Sequence, residues 1–73
     1  MPLIEVKLIQ GVFTKEQKQE MVKKLTDAMV AVEGENMRGV TTVIIEDVLS
    51  GDWAIGGRPL TTAEVKAIAA GKN

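Results

Sequence analysis

The segment LIEVKLIQGVFTKEQKQEMVKKLTDAMVAVEG, residues 3–34, contains two hydrophobic periods in succession and decides the fold. Its first part, Leu3 to Ile9, alternates between apolar and charged residues. The apolar side chains of one face are Ile4, Val6 and Leu8. A period of two is typical of a half-buried β-strand. Gly11 follows shortly after, and the strand is predicted to end there.

The second part of this segment predicts a long amphipathic helix. Thr14 is followed three residues later by Gln17, the spacing of a capping box, in which each side chain binds the other residue's backbone N–H. Apolar residues then recur at helical spacing. They are Met21, Val22, Leu25, Ala28, Met29 and Val32. The helix is predicted to end near Gly34, because glycine adopts the backbone conformation with which helices commonly end.

A second strand is predicted from Thr41 to Val48, after a loop over residues 34–39. A strand, a long helix and a strand form a β-α-β unit, in which the strands are parallel and the crossover is right-handed. The fold class is therefore α+β with a parallel two-stranded unit. Two strands leave sheet edges and apolar surface uncovered, so we expect the sheets of two subunits to pair.

The last third of the chain predicts a hairpin arm and a short helix. Residues 53–58, WAIGGR, are typical of a short hairpin with a glycine pair at its turn. Thr61 and Glu64 have the spacing of a second capping box. The helix that follows is predicted to run through Ala70 and to stop at Gly71.

Length and composition exclude several classes of function. With 73 residues the chain is predicted to be a single domain, residues 1–73, near the size at which one core is marginal. Cysteine and histidine are both absent, which excludes disulfides, thiol nucleophiles, histidine bases and the usual zinc sites. Nine basic and ten acidic residues indicate neither a nucleic-acid nor a membrane partner. Because no apolar run resembles a membrane span or signal peptide, we expect a cytoplasmic protein.

Pro2 is the candidate catalytic base. Removal of Met1 would leave a secondary amine at the chain terminus. An α-amine has a reference pKa near ~8, and burial among apolar groups lowers it because desolvation disfavours the ammonium form. Such an amine is uncharged near neutral pH and can accept a proton from carbon. Proline is also an ordinary second residue, and while Met1 stays attached the nitrogen is an amide.

Several short features occur in a distinctive order and spacing. They are Met1-Pro2 opening a strand, Gly11 at its end, Glu16-Gln17-Lys18 opening the helix, the Val43-Ile44-Ile45-Glu46 strand, and Gly51, Trp53 and Ile55-Gly56-Gly57 in the arm. With them the chain resembles the 4-oxalocrotonate tautomerase family of the tautomerase superfamily over residues 2–60. The resemblance implies a subunit that dimerises into a four-stranded sheet, usually within a trimer of dimers. It also implies the amino-terminal proline as general base on a small enol or unsaturated keto acid, without a cofactor.

The same resemblance assigns roles to residues of the arm and exposes two departures. Trp53 matches the family's pocket aromatic and is predicted to form an apolar wall, with packing between subunits as the alternative. Two family arginines are replaced, by Val12 after the first strand and by Thr42 early in the second. Neither replacement provides the paired hydrogen bonds of a guanidinium to a carboxylate. Arg58, and less strongly Arg38, are the candidates for carboxylate binding, with a solvated surface charge as the alternative.

Three functions stay open from the sequence. The first is a proline-based tautomerase of atypical specificity, acting on a monocarboxylate or a simple keto-enol compound such as an arylpyruvate. The second is a weakly active or inactive subunit of a hetero-oligomer whose partner supplies arginines. The third is hydratase-type addition of water to an activated double bond. We expect a homo-oligomer, most simply a hexamer, with a small-molecule substrate.

Overall fold

The computed structural model describes residues 1–71 and contains every strand and helix that the sequence predicts. The elements are β1 (Leu3–Ile9), α1 (Lys15–Glu33), a 3-10 helix (Glu35–Val40), β2 (Thr42–Val48), β3 (Trp53–Ile55), β4 (Arg58–Leu60) and α2 (Thr62–Ala69). β1 pairs with β2, and β3 pairs with β4. Within residues 1–71, no helix is both long and apolar enough to cross a membrane.

Two backbone hydrogen bonds show that β1 and β2 run in the same direction. The N–H of Thr42 donates to the carbonyl of Pro2 at 3.1 Å, before β1 and at the start of β2. The N–H of Gln10 donates to the carbonyl of Val48 at 2.7 Å, just past β1 and at the end of β2. The predicted β-α-β fold with parallel strands is therefore confirmed.

Helix α1 begins and ends as its local sequence predicts. The Thr14 hydroxyl accepts from the N–H of Gln17 at 3.1 Å, and the Gln17 side chain accepts from the N–H of Thr14 at 2.8 Å. Gly34 closes the helix with φ 103° and donates its N–H to the carbonyl of Val30. Both halves of the capping box are thus present, and α1 ends at the predicted glycine.

The segment after α1 is not the predicted loop but a 3-10 helix, Glu35–Val40. Glu35 and Arg38 are three residues apart and pair at 2.7 Å. A helix with three residues per turn places such a pair on the same side, which explains why this segment is a 3-10 helix and not a loop. Thr41 caps this helix, so β2 begins at Thr42, one residue later than predicted.

Contacts along the chain group the described residues into two compact units. The first consists of Met1–Val6 and Thr14–Glu46, and its buried apolar side chain is Val30. The second consists of Lys7–Phe13 and the chain from Asp47 onward, and its buried apolar side chains are Ile9 and Leu60. Among residues 1–71 these three are the buried apolar side chains, and none of them is completely inaccessible to solvent.

The hairpin arm lies in the second unit and has the predicted turn. Its register pairs Trp53 with Leu60 and Ile55 with Arg58. Gly56 has φ 60° and Gly57 has φ 83°. Two successive positive φ angles match the twist of a tight hairpin and favour glycine at both positions.

Candidate active site

Pro2 directly precedes β1 and is half-buried. Its carbonyl oxygen accepts the hydrogen bond from Thr42 at 3.1 Å, so the first peptide after the proline ring is fixed to β2. Met1 is 90% exposed. The structure therefore brings together two residues that the sequence singled out for separate reasons, Pro2 as a base and Thr42 as the replacement of an arginine.

A polar clamp lies immediately before Thr42. The half-buried hydroxyl of Thr41 lies within hydrogen-bond distance of two acceptors, Glu33 Oε2 at 2.5 Å and the carbonyl of Met37 at 2.8 Å, which share its single hydrogen. This clamp connects the end of α1 and the 3-10 helix to the start of β2. Sequence analysis did not find it, because a glutamate at a helix end and a threonine before a strand are both ordinary residues.

The turn between β1 and α1 carries Val12 and is fastened from α2. The hydroxyl of Thr62 donates to the carbonyl of Gln10 at 2.5 Å. Gly11 has φ 83°, and a side-chain carbon built there would lie 3.2 Å from Cγ2 of Thr62. Val12 itself is half-buried. Thr62 is a further residue that sequence analysis missed, since 52 positions separate it from Gln10.

Trp53 opens β3 in the second unit and is half-buried opposite Leu60. It lines a cavity of about 250 Å³ together with Phe13, Val65 and Ile68. Trp53 and Phe13 are the two aromatic residues of the chain, so its whole aromatic content borders one apolar space. Trp53 thus lies where an apolar wall can be formed.

Arg58 stands on β4 and its side chain is 71% exposed. Its guanidinium pairs with Glu64 at 2.6 Å. That carboxylate belongs to the second predicted capping box, of which the Thr61 side chain forms one half by accepting from the N–H of Glu64 at 3.2 Å. An exposed ion pair is weak, because water and salt screen it, so a ligand carboxylate can compete with Glu64.

Arg38, the other arginine of the chain, is held by two carboxylates in the first unit. It pairs with Glu35 at 2.7 Å and with Asp27 at 2.8 Å. Hydrogen bonds to two carboxylates raise the pKa of the Arg38 guanidinium, and the bond to Glu35 contributes more than the bond to Asp27. The pKa of Glu35 is lowered by Arg38, and that of Asp27 by Lys23 and then Arg38. These contacts occupy the Arg38 fork and disfavour its use for a ligand.

The acidic side chains of residues 1–71 form no cluster of three or more that could hold a metal ion. The first unit presents a proline at a strand start beside a neutral threonine. The second unit presents an apolar cavity and, outside the lining of that cavity, the exposed Arg58.

A family model described as Tautomerase enzyme matches residues 2–63 of the chain. The chain belongs to the 4-oxalocrotonate tautomerase family. The chain is 31% identical to probable tautomerase K2 of Dickeya dadantii over 67 residues, 92% of this chain and 98% of the relative. It is 33% identical to 2-hydroxymuconate tautomerase of Bacillus subtilis over 64 residues, 88% of this chain and all of the relative.

The solved structures agree with the family assignment. A solved structure from the characterization of the 4-oxalocrotonate tautomerase isozymes of Methylibium petroleiphilum superposes with a TM-score of 0.69 at 34% identity. The match covers 88% of this chain and 97% of the other chain. The β-α-β fold with parallel strands and a C-terminal helix is thus shared with this family, and membership of the family supports a tautomerase type of activity.

Proposed function

We propose that this chain is a cofactor-independent keto-enol tautomerase in which Pro2, freed by removal of Met1, is the general base. The family supports an isomerase of this type. The single observation that carries the assignment of the base is the hydrogen bond from the Thr42 N–H to the Pro2 carbonyl. It holds the first residue of the processed chain against the sheet, where a terminal amine has a defined direction.

The chemistry requires a neutral amine that can accept and return one proton. Pro2 takes a proton from a carbon or enol hydroxyl of the substrate and, as the ammonium, returns it to another carbon. No atom is gained or lost, so no co-reactant is needed. A free α-amine has a pKa near ~8, and partial burial lowers this pKa because desolvation disfavours the ammonium form. The backbone amine can then act as a base near neutral pH, and no side-chain base is required.

The specificity that we propose differs from recognition by two arginines. Val12 presents a hydrocarbon and Thr42 an uncharged hydroxyl at the positions of the two family arginines. We assign Trp53 to an apolar wall and Arg58 to a single carboxylate contact, in exchange for Glu64. A substrate with one carboxylate and an apolar substituent, such as an arylenolpyruvate, fits this set. The Bacillus relative is named for 2-hydroxymuconate, and we propose the same reaction class on a different substrate.

We further propose that the active form is a homo-oligomer, most simply a hexamer, in which arms close over neighbouring subunits. Among residues 1–71, only Ile9, Val30 and Leu60 are buried apolar side chains. Leu3 is 55% and Ile55 66% exposed, which is costly for a stable monomer. Pairing of subunits would cover these side chains and the open edges of the two-stranded sheet.

One observation favours the hetero-oligomeric alternative. Both arginines of the chain are paired with carboxylates of their own unit, Arg38 with Glu35 and Asp27 and Arg58 with Glu64. A partner subunit that carries arginines would supply the missing cations. This chain would then contribute scaffold and have little activity by itself.

Ketonisation of phenylenolpyruvate by the purified, processed chain tests the proposed function. Pro2→Ala is expected to lower kcat/KM by roughly 10²-fold or more, in line with the ~10²–10⁴ contribution of a general base. The matched control is Pro59→Ala, which changes the other proline of the chain, an exposed residue of β4. Unchanged kinetics in Pro2→Ala would rule out Pro2 as the base. Absence of activity in the unsubstituted chain, restored by a second subunit, would favour the hetero-oligomer.

A further inference from the structure

Thr41 occupies a point from which the orientation of Pro2 can be controlled. Its hydroxyl lies between Glu33 Oε2 at 2.5 Å and the Met37 carbonyl at 2.8 Å. The side chain is half-buried, so few alternative partners in water compete for this hydrogen. The single hydroxyl hydrogen of Thr41 is therefore shared between the last residue of α1 and a residue of the 3-10 helix.

The peptide that follows Thr41 carries the N–H on which Pro2 depends. The nitrogen of Thr42 is bonded to the carbonyl carbon of Thr41, and the peptide is planar. The direction of the Thr42 N–H is therefore set by the ψ angle of Thr41, which is 120°. Clamping the Thr41 side chain restricts this residue and aims the N–H at the carbonyl of Pro2, 3.1 Å away.

At Pro2 the same hydrogen bond determines how the amine points. The ring of proline fixes φ, so ψ is the remaining soft torsion between the ring nitrogen and the carbonyl group. When the carbonyl oxygen is held by Thr42, ψ is held too. The ring nitrogen of the processed amine is then held in one position relative to the sheet.

We propose that Thr41, held by Glu33, is a positioning residue that aims the Pro2 amine through the Thr42 N–H. The inference rests on the proposed function of Pro2. In this role the Thr41 clamp affects catalysis in addition to capping the 3-10 helix. That cap already has a backbone hydrogen bond, from the N–H of Thr41 to the carbonyl of Arg38 at 3.3 Å.

The test compares Thr41→Val, which removes the hydroxyl at nearly constant shape, with Thr41→Ser, which keeps it. Two readouts are needed, kcat and KM for phenylenolpyruvate, and hydrogen exchange of single backbone amides. Thr41→Val is expected to lower kcat by about tenfold with KM changed less than about twofold, the scale of one lost hydrogen bond. Exchange of the Thr42 amide is expected to accelerate by about tenfold. Thr41→Ser is expected to restore both.

Two controls distinguish a specific effect on the orientation of Pro2 from a general loss of stability. The Gln10 amide, bonded to Val48 at the other end of the strands, is expected to keep its exchange rate in Thr41→Val. Thr26→Val is the matched control, because the half-buried Thr26 hydroxyl also donates to a backbone carbonyl, that of Val22 at 2.7 Å. It is expected to leave kcat and Thr42 exchange unchanged.

A second variant approaches the clamp from the other side. Glu33→Ala removes one acceptor and leaves Thr41 bonded to Met37, whereas Glu33→Gln keeps an acceptor oxygen. We expect Glu33→Ala to lower kcat less than Thr41→Val does, and Glu33→Gln to leave kcat unchanged. This pair keeps the proposal testable if Thr41→Val does not fold.

The outcomes distinguish the positioning role from the proposed base. Loss of activity in Pro2→Ala together with unchanged kcat in Thr41→Val and Glu33→Ala would overturn the positioning role alone. Equal acceleration of the Thr42 and Gln10 amides in Thr41→Val would also overturn it, because the clamp would then serve stability only. Unchanged kcat in Pro2→Ala would contradict the proposed base and the positioning role with it.

Discussion

The carbonyl oxygen of Pro2 accepts a hydrogen bond from the backbone N–H of Thr42 at 3.1 Å. The proposed base and one of the two substituted arginine positions are therefore direct neighbours. A guanidinium at residue 42 would put a permanent positive charge near the amine and favour its neutral form. Threonine has no such charge, so in the proposed mechanism the substitution would affect both substrate recognition and the protonation of the base.

We expect Met1 to be absent from the mature protein. Met1 is 90% exposed, and the small second residue Pro2 suits the enzyme that removes initiator methionine. The intact mass of protein made in its own host is expected to be lower by one methionine residue. A dominant species that keeps Met1 would contradict the catalytic use of Pro2, because its nitrogen would be an amide.

Dicarboxylate substrates are expected to have no advantage in kcat/KM over matched monocarboxylates. Val12 and Thr42 cannot form charged hydrogen bonds to a second carboxylate. Val12→Arg is expected to raise the dicarboxylate to monocarboxylate ratio by roughly tenfold or more, the scale of one charge-assisted bond. The control is Val32→Arg, which adds the same charge at an 87% exposed position of α1. A strong dicarboxylate preference in the unsubstituted chain would show that other cations bind the substrate.

Arg58→Ala is expected to lower kcat/KM for carboxylate substrates by about tenfold, mainly through KM, since one charged contact is lost. Glu64→Gln removes the carboxylate that holds Arg58 at 2.6 Å and is expected to act in the opposite direction. Steady-state kinetics of both variants decide the assignment. Equal kcat/KM in Arg58→Ala and the unsubstituted chain would make Arg58 a surface charge.

Gly11→Ala is expected to destabilise the fold more than Gly57→Ala. Both glycines have φ 83°, so an alanine is strained at either position, by about 1–2 kcal/mol. At Gly11 the new carbon meets Cγ2 of Thr62 at 3.2 Å, whereas at Gly57 no comparable group of residues 1–71 lies within 4 Å. Urea denaturation measures the difference. Adding Thr62→Ser, which removes that methyl, is expected to recover part of it, and equal losses at both glycines would contradict this account.

A hexamer of identical subunits is expected from light scattering at micromolar concentration. The physical reason is the exposed apolar surface of the isolated chain, including Leu3, Ile44 and Ile55. Native mass spectrometry of protein isolated from its host identifies the subunits. A stable monomer would contradict the prediction, and a second subunit of different mass would support the hetero-oligomeric alternative.

Much of the candidate site was accessible from the sequence, but the contacts that hold it were not. Pro2, Trp53 and Thr42 were identified by position and resemblance, and their catalytic roles stay predictions, as does the single domain over residues 1–73. For Arg38 the sequence allowed a ligand role, whereas the structure pairs it with Asp27, 11 positions away. Charged residues at that separation have no periodic pattern that would reveal the pair.

The sequence by itself determined the strands and the two α-helices, though not the 3-10 helix, because strand alternation, helical spacing and the Thr14–Gln17 capping box act between residues within a few positions of one another. Tertiary structure alone decided that Thr62 fastens the turn at Gln10, 52 positions earlier, and that Glu33 clamps Thr41 beside Thr42. Such bonds depend on the path of the whole backbone through space. The sequence shows that a polar side chain can form a hydrogen bond, but only the folded chain determines which group becomes its partner.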